Sequence, residues 1–297
     1  MALAFLSQSS APAGEIVIVL SGTEAPYAAA QEEASKRLTE GHKVRTAQMD
    51  DVTEATVAAQ KVDIYLAVGT RAAVKLHGLV KPPAQLVYCM VSQPAGAGLT
   101  KDAPASGIST DVPLKEQFDL ILEAMPGVKM IGMLYRSDTP SSADILKEAQ
   151  QALPKGANLV STALDKQPAI ADAIENLLSQ KPDIIWTAAD SSVYEATTVR
   201  ALLLASLRAN TPVFGFSRGF VKAGALLGIA VDPRSQGEPA AAMPAALLTP
   251  PAGAKPAPPH VVEPPKFQIV LNLIVAEKLS IQLPDKLIQK AGEVFKP

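Results

Sequence analysis

One short segment carries the most specific chemical pattern in this chain. Gly215-Phe-Ser-Arg-Gly219 matches G-x-S-x-G, the pattern that places a nucleophilic serine between a strand and a helix. A serine hydrolase of this chain order would have to use Ser217, Asp232 and His260 as its triad. His260 lies in a proline-rich stretch, which is a poor place to hold an imidazole, and no HGGG-type oxyanion segment is present. A serine hydrolase is therefore the alternative interpretation.

Small polar residues at the ends of predicted strands form the second candidate set. In open α/β sheets, ligands bind at the carboxyl ends of strands, where helix N-termini present N–H groups. Such donors suit a carboxylate, and Asp190 suits an ammonium group, so an amino acid or similar small zwitterion is favoured. The same residue types also serve as ordinary turn and N-cap residues. The six strand ends are Ser21-Gly-Thr23, Gly69-Thr70, Ser92-Gln93, Arg136-Ser-Asp138, Asp190-Ser-Ser192 and Gly215-Phe-Ser217.

Composition excludes several other kinds of chemistry. The net charge is −2 and no basic cluster occurs, so nucleic acid is not expected as a partner. Cys89 is the only cysteine, which excludes an internal disulfide and a cysteine-based metal site. The three histidines have no metal-ligand spacing, and neither GxxxxGK[ST] nor GxGxxG occurs. We therefore predict no metal and no cofactor.

Short apolar runs alternate with helix-patterned segments over most of the chain, which indicates βαβ units and parallel sheets. At 297 residues, two lobes are expected. The rhythm restarts at a seam near residues 109–112. Strands are predicted at 15–20, 44–49, 63–68 and 86–91 before the seam, and at 129–135, 158–163, 183–187, 212–214 and 266–272 after it.

The predicted boundaries follow these elements. Residues 14–110 with about 218–263 form the first lobe, and residues 111–217 with about 264–297 form the second. Residues 1–13 are interpreted as the remnant of an export signal, or a disordered N-terminus, because an apolar run precedes Ala11-Pro-Ala13. The proline-rich stretch from Pro250 to Pro265 is interpreted as an extended linker, so the chain should cross between lobes more than once.

Three stretches together resemble the type I periplasmic-binding-protein family of ABC-transporter substrate-binding proteins. The resemblance runs from about Glu15 to the C-terminus, although Gln93 stands where the family usually has Asp and Ser280 where it usually has Gly. The stretches are Asp63–Thr70 with Val91-Ser-Gln-Pro94, Phe216–Ala225 with Val231-Asp232 and Gly237, and Phe267–Asn272 with Ala276, Leu279 and Pro284.

The resemblance implies an α/β fold with two doubly wound parallel-sheet lobes, joined by a hinge of crossing segments and closed by the ligand. It implies a periplasmic or otherwise extracytoplasmic monomer that catalyses no reaction and delivers a small molecule to the membrane permease of an ABC importer. A ligand-sensing domain of a membrane receptor is the other possibility within the binding class. Some family members bind aromatic amino acids, but the lost charge at Gln93 weighs against such a ligand. The family's ligand loops, carried over by position, give Ser21, Thr23, Gly69, Thr70, Ser92, Asp190, Phe216 and Ser217.

Overall fold

The computed structural model describes residues 14–101, 105–248, 259–264 and 266–297, which separate into two compact units. Unit 1 contains the described residues of 1–110 and 233–265, and unit 2 contains 111–232 and 266–297. The chain therefore passes from one unit to the other three times. The predicted export-signal remnant and most of the predicted proline-rich linker lie outside the described residues. Among the described residues, no helix combines the length and apolar character that crossing a membrane requires.

The regular elements follow the alternation expected of βαβ units. In chain order, the strands are β1 (Glu15–Leu20), β2 (Lys43–Gln48), β3 (Ile64–Val68), β4 (Gln85–Val91), β5 (Ser106–Ser109), β6 (Met130–Tyr135), β7 (Asn158–Ala163), β8 (Ile184–Trp186), β9 (Val213–Gly215), β10 (Leu227–Val231), β11 (Val261–Val262), β12 (Phe267–Asn272) and β13 (Glu293–Phe295). The α-helices are α1 (Ala25–Leu38), α2 (Glu54–Ala58), α3 (Thr70–Leu79), α4 (Leu114–Ala124), α5 (Pro140–Ala152), α6 (Ile170–Ser179), α7 (Ala196–Arg208), α8 (Arg218–Ala223), α9 (Pro233–Leu248), α10 (Leu273–Lys278) and α11 (Asp285–Lys290).

Unit 1 is built on a six-stranded sheet in the order β11-β5-β4-β3-β1-β2, with every pair parallel. Alternate residues of β1 enter different cores, since Ile16 and Ile18 pack with α1 and α9 whereas Val17 and Val19 pack with α3. Helices on both faces explain why β1 is continuously apolar rather than alternating. Cys89 is buried in the first of these cores, and burial raises the pKa of its thiol to about 12.

Unit 2 is built on a seven-stranded sheet in the order β13-β12-β10-β9-β8-β6-β7. All its pairs are parallel except β10 with β12, which is antiparallel. The exception follows from the chain path, because Asp232 directly after β10 lies beside Lys266 directly before β12, with 3.4 Å between the Asp232 nitrogen and the Lys266 oxygen. The sheet is otherwise parallel, as the sequence predicted for this lobe.

The lobe boundary predicted near residue 218 also differs from the structure. Residues 218–232 belong to unit 2, not to unit 1. The reason is strand pairing, because β10 lies between β9 and β12 in the sheet of unit 2. The order of elements along the chain does not reveal the partners of a strand.

The only tryptophan of the chain belongs to the core of unit 2. The Trp186 side chain is fully buried, its indole N–H donates to Gln117 Oε1 at 2.9 Å, and its ring packs on Phe118 with 5.3 Å between the centroids. Trp186 is therefore a structural residue of this core.

Candidate functional site

In unit 1, the predicted residues meet at the carboxyl edge of the sheet because β1, β3 and β4 are neighbours. The Ser21 hydroxyl accepts a hydrogen bond from the backbone N–H of Ala72 at 2.9 Å. The Thr70 hydroxyl accepts one from the backbone N–H of Ser92 at 3.3 Å. Residues that follow three separate strands are thus joined around the first turn of α3. These hydroxyl groups therefore stabilise the structure through hydrogen bonds within the chain, without a ligand.

Gly69 makes this close arrangement possible. Its φ of +98° lies in the region that favours glycine, and it is the N-cap residue of α3. A Cβ atom at this position would lie 2.5 Å from Ser21 Oγ and 2.9 Å from Tyr27 Cε1. The absence of a side chain therefore lets Ser21 and Tyr27 approach the start of the helix.

The first turn of α3 offers hydrogen-bond donors. Among the described residues, the backbone N–H groups of Thr70 and Arg71 have no hydrogen-bond acceptor. Helix N-termini carry partial positive charge and free N–H groups, so this turn can receive an anionic group. Thr23 is exposed and forms no hydrogen bond with the described residues, so the structure does not tie it to this cluster.

Two residues near this edge were missing from the prediction. Tyr27 is half-buried beside Gly69, and burial raises the pKa of its hydroxyl, assisted by the charge of Glu24 and opposed by that of Arg71. Arg71 directly follows the Gly69-Thr70 pair, so its position in the sequence was a usable signal. Tyr27 had no such signal, because its approach to Gly69 depends on how α1 packs.

In unit 2, the candidate residues lie where β6, β8 and β9 end side by side. Asp190 follows β8 and is 5% exposed. Its Oδ1 atom accepts the backbone N–H of Ser192 at 2.9 Å and the Ser192 hydroxyl at 2.6 Å. Its Oδ2 atom is buried and has no hydrogen-bond partner among the described residues. A buried carboxylate oxygen without a partner is costly, so it marks a place where a donor from outside the chain fits.

An aromatic cluster lies next to Asp190. Phe216 packs on Tyr194 and Phe220, with ring centroids 6.0 Å and 5.3 Å apart, and Tyr194 packs on Phe220 at 5.9 Å. Burial raises the pKa of Tyr194, and the charge of Asp190 raises it further. The charge of Asp190 therefore acts beside apolar rings, where electrostatic interactions are stronger than in water.

Ser217 has a structural role in the described chain. It is the N-cap residue of α8, and its hydroxyl accepts the backbone N–H of Phe220 at 3.2 Å. Of the other two triad candidates, Asp232 belongs to unit 2 and His260 to unit 1. The His260 carbonyl accepts the backbone N–H of Gly107, which fixes this segment beside β5. The geometry gives no support to a Ser217–Asp232–His260 triad.

The end of β6 carries a charged cluster that the prediction noted but did not select. The Arg136 guanidinium donates to both carboxylate oxygens of Asp138, at 2.9 Å and 2.6 Å. Ser137 donates its backbone N–H and its hydroxyl to Asp165, each at 2.6 Å. These hydrogen bonds lower the pKa of Asp165 to about 2. Among the described residues, no group of three His, Cys, Asp or Glu side chains is arranged to hold a metal ion.

Comparison with known proteins identifies a family that matches the sequence. The model of the ABC transporter substrate-binding protein family matches residues 25–295. No curated protein matches the sequence.

Several solved structures share the fold. An ABC domain in complex with L-Trp from Streptococcus pneumonia has 22% sequence identity and a TM-score of 0.69, and the alignment covers 95% of this chain and 100% of that one. A ligand-free, open substrate-binding protein with adhesive properties from Clostridium difficile has 20% identity and a TM-score of 0.74, with 96% and 100% covered. A periplasmic ribose ABC transporter protein from Conexibacter woesei has 16% identity and a TM-score of 0.59, with 96% and 100% covered.

The structural similarities establish the type I periplasmic-binding fold for both α/β units, as the sequence predicted. The family model covers most of the chain, which is far more than a shared motif. This protein belongs to the family of ABC-transporter substrate-binding proteins.

Proposed function

We propose that this protein binds a small molecule with a cationic nitrogen, most simply an amino acid, and catalyses no reaction. Asp190 receives the cationic group, and Phe216 provides an adjacent apolar surface. In unit 1, the backbone N–H groups of Thr70 and Arg71, which have no acceptor within the described ranges, suit a carboxylate. Extracytoplasmic location, delivery to a permease and hinge closure are parts of the same proposal, and they rest on the family.

One observation carries the proposal. Asp190 is 5% exposed, and its Oδ2 atom has no hydrogen-bond partner among the described residues. A charge-assisted N–H donor satisfies such an oxygen better than a neutral hydroxyl does. An ammonium group therefore fits this place better than the hydroxyl groups of a sugar.

The experiment compares ligands that differ in charge on one ring system. Binding of L-tryptophan, tryptamine and 3-indolepropionate is measured by calorimetry, beside a panel of other amino acids, sugars and nucleosides. If Asp190 holds an ammonium group, ligands with a free amine bind and 3-indolepropionate does not. For the amines that bind, Asp190→Asn should cost about 2–5 kcal/mol of binding free energy.

A matched control separates this contact from a general change of charge. Asp144 is an exposed carboxylate on α5, and its ion pair among the described residues is with Lys147 three residues away. Asp144→Asn makes the same chemical change and should leave the affinity unchanged. Equal affinity of the wild-type and Asp190→Asn proteins for a bound amine, or binding confined to uncharged sugars, would refute the proposal.

A further inference from the structure

We propose that Arg136 is a specificity-determining residue, because its guanidinium competes with the cationic group of the ligand for the open oxygen of Asp190. This inference rests on the proposed role of Asp190. It goes further by assigning the competitor and by giving Asp138 a function.

The order of strands in the sheet places Arg136 and Asp190 at the same edge. β6 and β8 are parallel neighbours in which Gly132 is opposite Ile185. Arg136 directly follows β6, and Asp190 lies four residues after the end of β8, so both residues follow neighbouring strands at the same edge of the sheet. The turn after Asp190 also packs onto the end of β6, because Leu134, Val193 and Tyr194 share one buried cluster.

The contact that holds Arg136 is easily exchanged. The side chains of Arg136 and Asp138 are 36% and 48% exposed, and ion pairs between such exposed groups contribute little net free energy. The backbone of Arg136 is fixed separately, since its N–H donates to Ser142 Oγ at 2.9 Å. The guanidinium can therefore change partners while the end of β6 stays in place.

In the part of the chain that the structure describes, one carboxylate near Arg136 has a buried oxygen without a hydrogen-bond partner. Asp138, Asp165 and Asp190 all act electrostatically on the guanidinium, and Asp138 has the largest effect. Asp165 is engaged by Ser137 and Lys166. Of the three, Asp190 presents a buried oxygen that has no partner among the described residues.

Two arrangements follow from these contacts. With Arg136 on Asp138, the buried Asp190 oxygen has no partner among the described residues and can accept a donor from a ligand. With Arg136 on Asp190, a ligand must displace a guanidinium, which a neutral hydroxyl does poorly because it exchanges a charge-assisted bond for a weaker one. The competition thus selects cationic ligands. Asp138 sets the fraction of molecules in which Arg136 does not occupy the Asp190 oxygen.

The first experiment needs no ligand. Unfolding in urea is followed by the fluorescence of Trp186, which lies in the core of unit 2 and therefore reports this unit. Arg136→Gln, Asp190→Asn and the double variant form a mutant cycle, which is repeated in an Asp138→Asn background. The cycle gives a coupling factor, which is the ratio by which the effect of Arg136→Gln on the unfolding equilibrium constant changes when Asp190 is replaced. Since Asp138→Asn removes the competing partner of Arg136, this coupling factor should rise at least about threefold in that background.

A distant electrostatic attraction predicts a different result, because such a coupling does not depend on whether Asp138 holds the guanidinium. The matched control is Arg218→Gln, which removes an arginine with an equivalent two-bond contact to Glu293 in the same unit. Arg218 should show no coupling to Asp190. A coupling between Arg136 and Asp190 that is absent, or that is unchanged by Asp138→Asn, overturns the proposal.

Titration with tryptamine then measures the competition directly. Asp138→Asn should weaken binding at least about threefold, and the loss should disappear when Arg136→Gln is added. A loss that persists with Arg136→Gln overturns the competition. If wild-type protein fails to bind any amine, the proposed function fails, while the ligand-free cycle still decides whether Arg136 engages Asp190.

Discussion

Asp190 and Asp165 lie at the same edge of unit 2 but differ in what surrounds their carboxylate oxygens. Asp165 accepts two hydrogen bonds from Ser137 and lies beside Lys166, so both of its carboxylate oxygens have partners within the chain. Asp190 has one oxygen satisfied by Ser192 and one left open. The residue type is identical, and the unsatisfied oxygen is what makes Asp190 a candidate ligand contact.

At the scale of single residues, Gly69 before α3 and Gly78 within it offer a test of the geometry in unit 1. Gly69→Ala places a Cβ atom 2.5 Å from Ser21 Oγ at a φ of +98°. We expect it to reduce the free energy of unfolding of unit 1 by about 1–3 kcal/mol. Labelling of the only thiol, Cys89, during unfolding in urea reports this unit because the thiol is buried there.

Gly78 is the control for this prediction, because it lies within α3 and a Cβ atom there would have no neighbour within 4 Å. Gly78→Ala should stabilise unit 1 by about 0.5–1 kcal/mol, as alanine is the better helix former. Equal effects of the two substitutions would contradict the close approach at Gly69.

At the scale of elements, the G-x-S-x-G pattern is explained by the start of a helix. β9 ends at Gly215, and α8 begins at Arg218 with Ser217 as its N-cap residue. The pattern was read correctly as strand, turn and helix. Its chemistry was ambiguous, because a serine before a helix satisfies backbone N–H groups as readily as it acts in catalysis.

A substitution at the cap tests this interpretation. Ser217→Ala removes the acceptor for the Phe220 N–H and should cost about 1 kcal/mol of unfolding free energy, whereas Ser217→Asp should retain most of it. Urea unfolding followed by Trp186 fluorescence measures both variants. Loss of an esterase activity in the Ser217→Ala protein, with unchanged stability, would favour the hydrolase instead.

The local sequence pattern could not reveal which strands pair with each other, or in which direction. The predicted strand at 266–272 is present as β12 (Phe267–Asn272), yet its antiparallel pairing with β10 follows from the path of the chain between the units. β5 was not predicted, because its four residues, Ser106–Ser109, include a glycine and two serines. Its burial comes from neighbours in the sheet.

At the scale of the whole molecule, each unit is assembled from separate parts of the chain. Unit 2 takes 111–232 and then 266–297, and the second part supplies β12 with its buried residues Ile269, Val270 and Leu271. β12 lies inside the sheet between β10 and β13. The first part alone therefore lacks an interior strand of its own sheet.

This assembly predicts which pieces fold. Residues 111–232 joined to 266–297 by a short Gly-Ser linker should fold as one unit, because Asp232 and Lys266 are already neighbours. Residues 111–232 alone should leave Trp186 exposed to water. The emission maximum of Trp186 and its response to urea distinguish the two chains. A cooperative transition of equal stability in the shorter chain would contradict this division.

The sequence by itself determined the class of fold, most strand and helix positions and the edges at which the candidate residues lie. These features depend on local periodicity and on the rule that parallel strands place their ends together. Only the tertiary structure decided what each polar group does. The Ser21 hydroxyl accepts a hydrogen bond from Ala72, 51 residues away, whereas one oxygen of Asp190 has no partner in the described part of the chain. Whether a polar group is satisfied depends on contacts between distant segments, and these contacts are set by packing rather than by neighbouring residues.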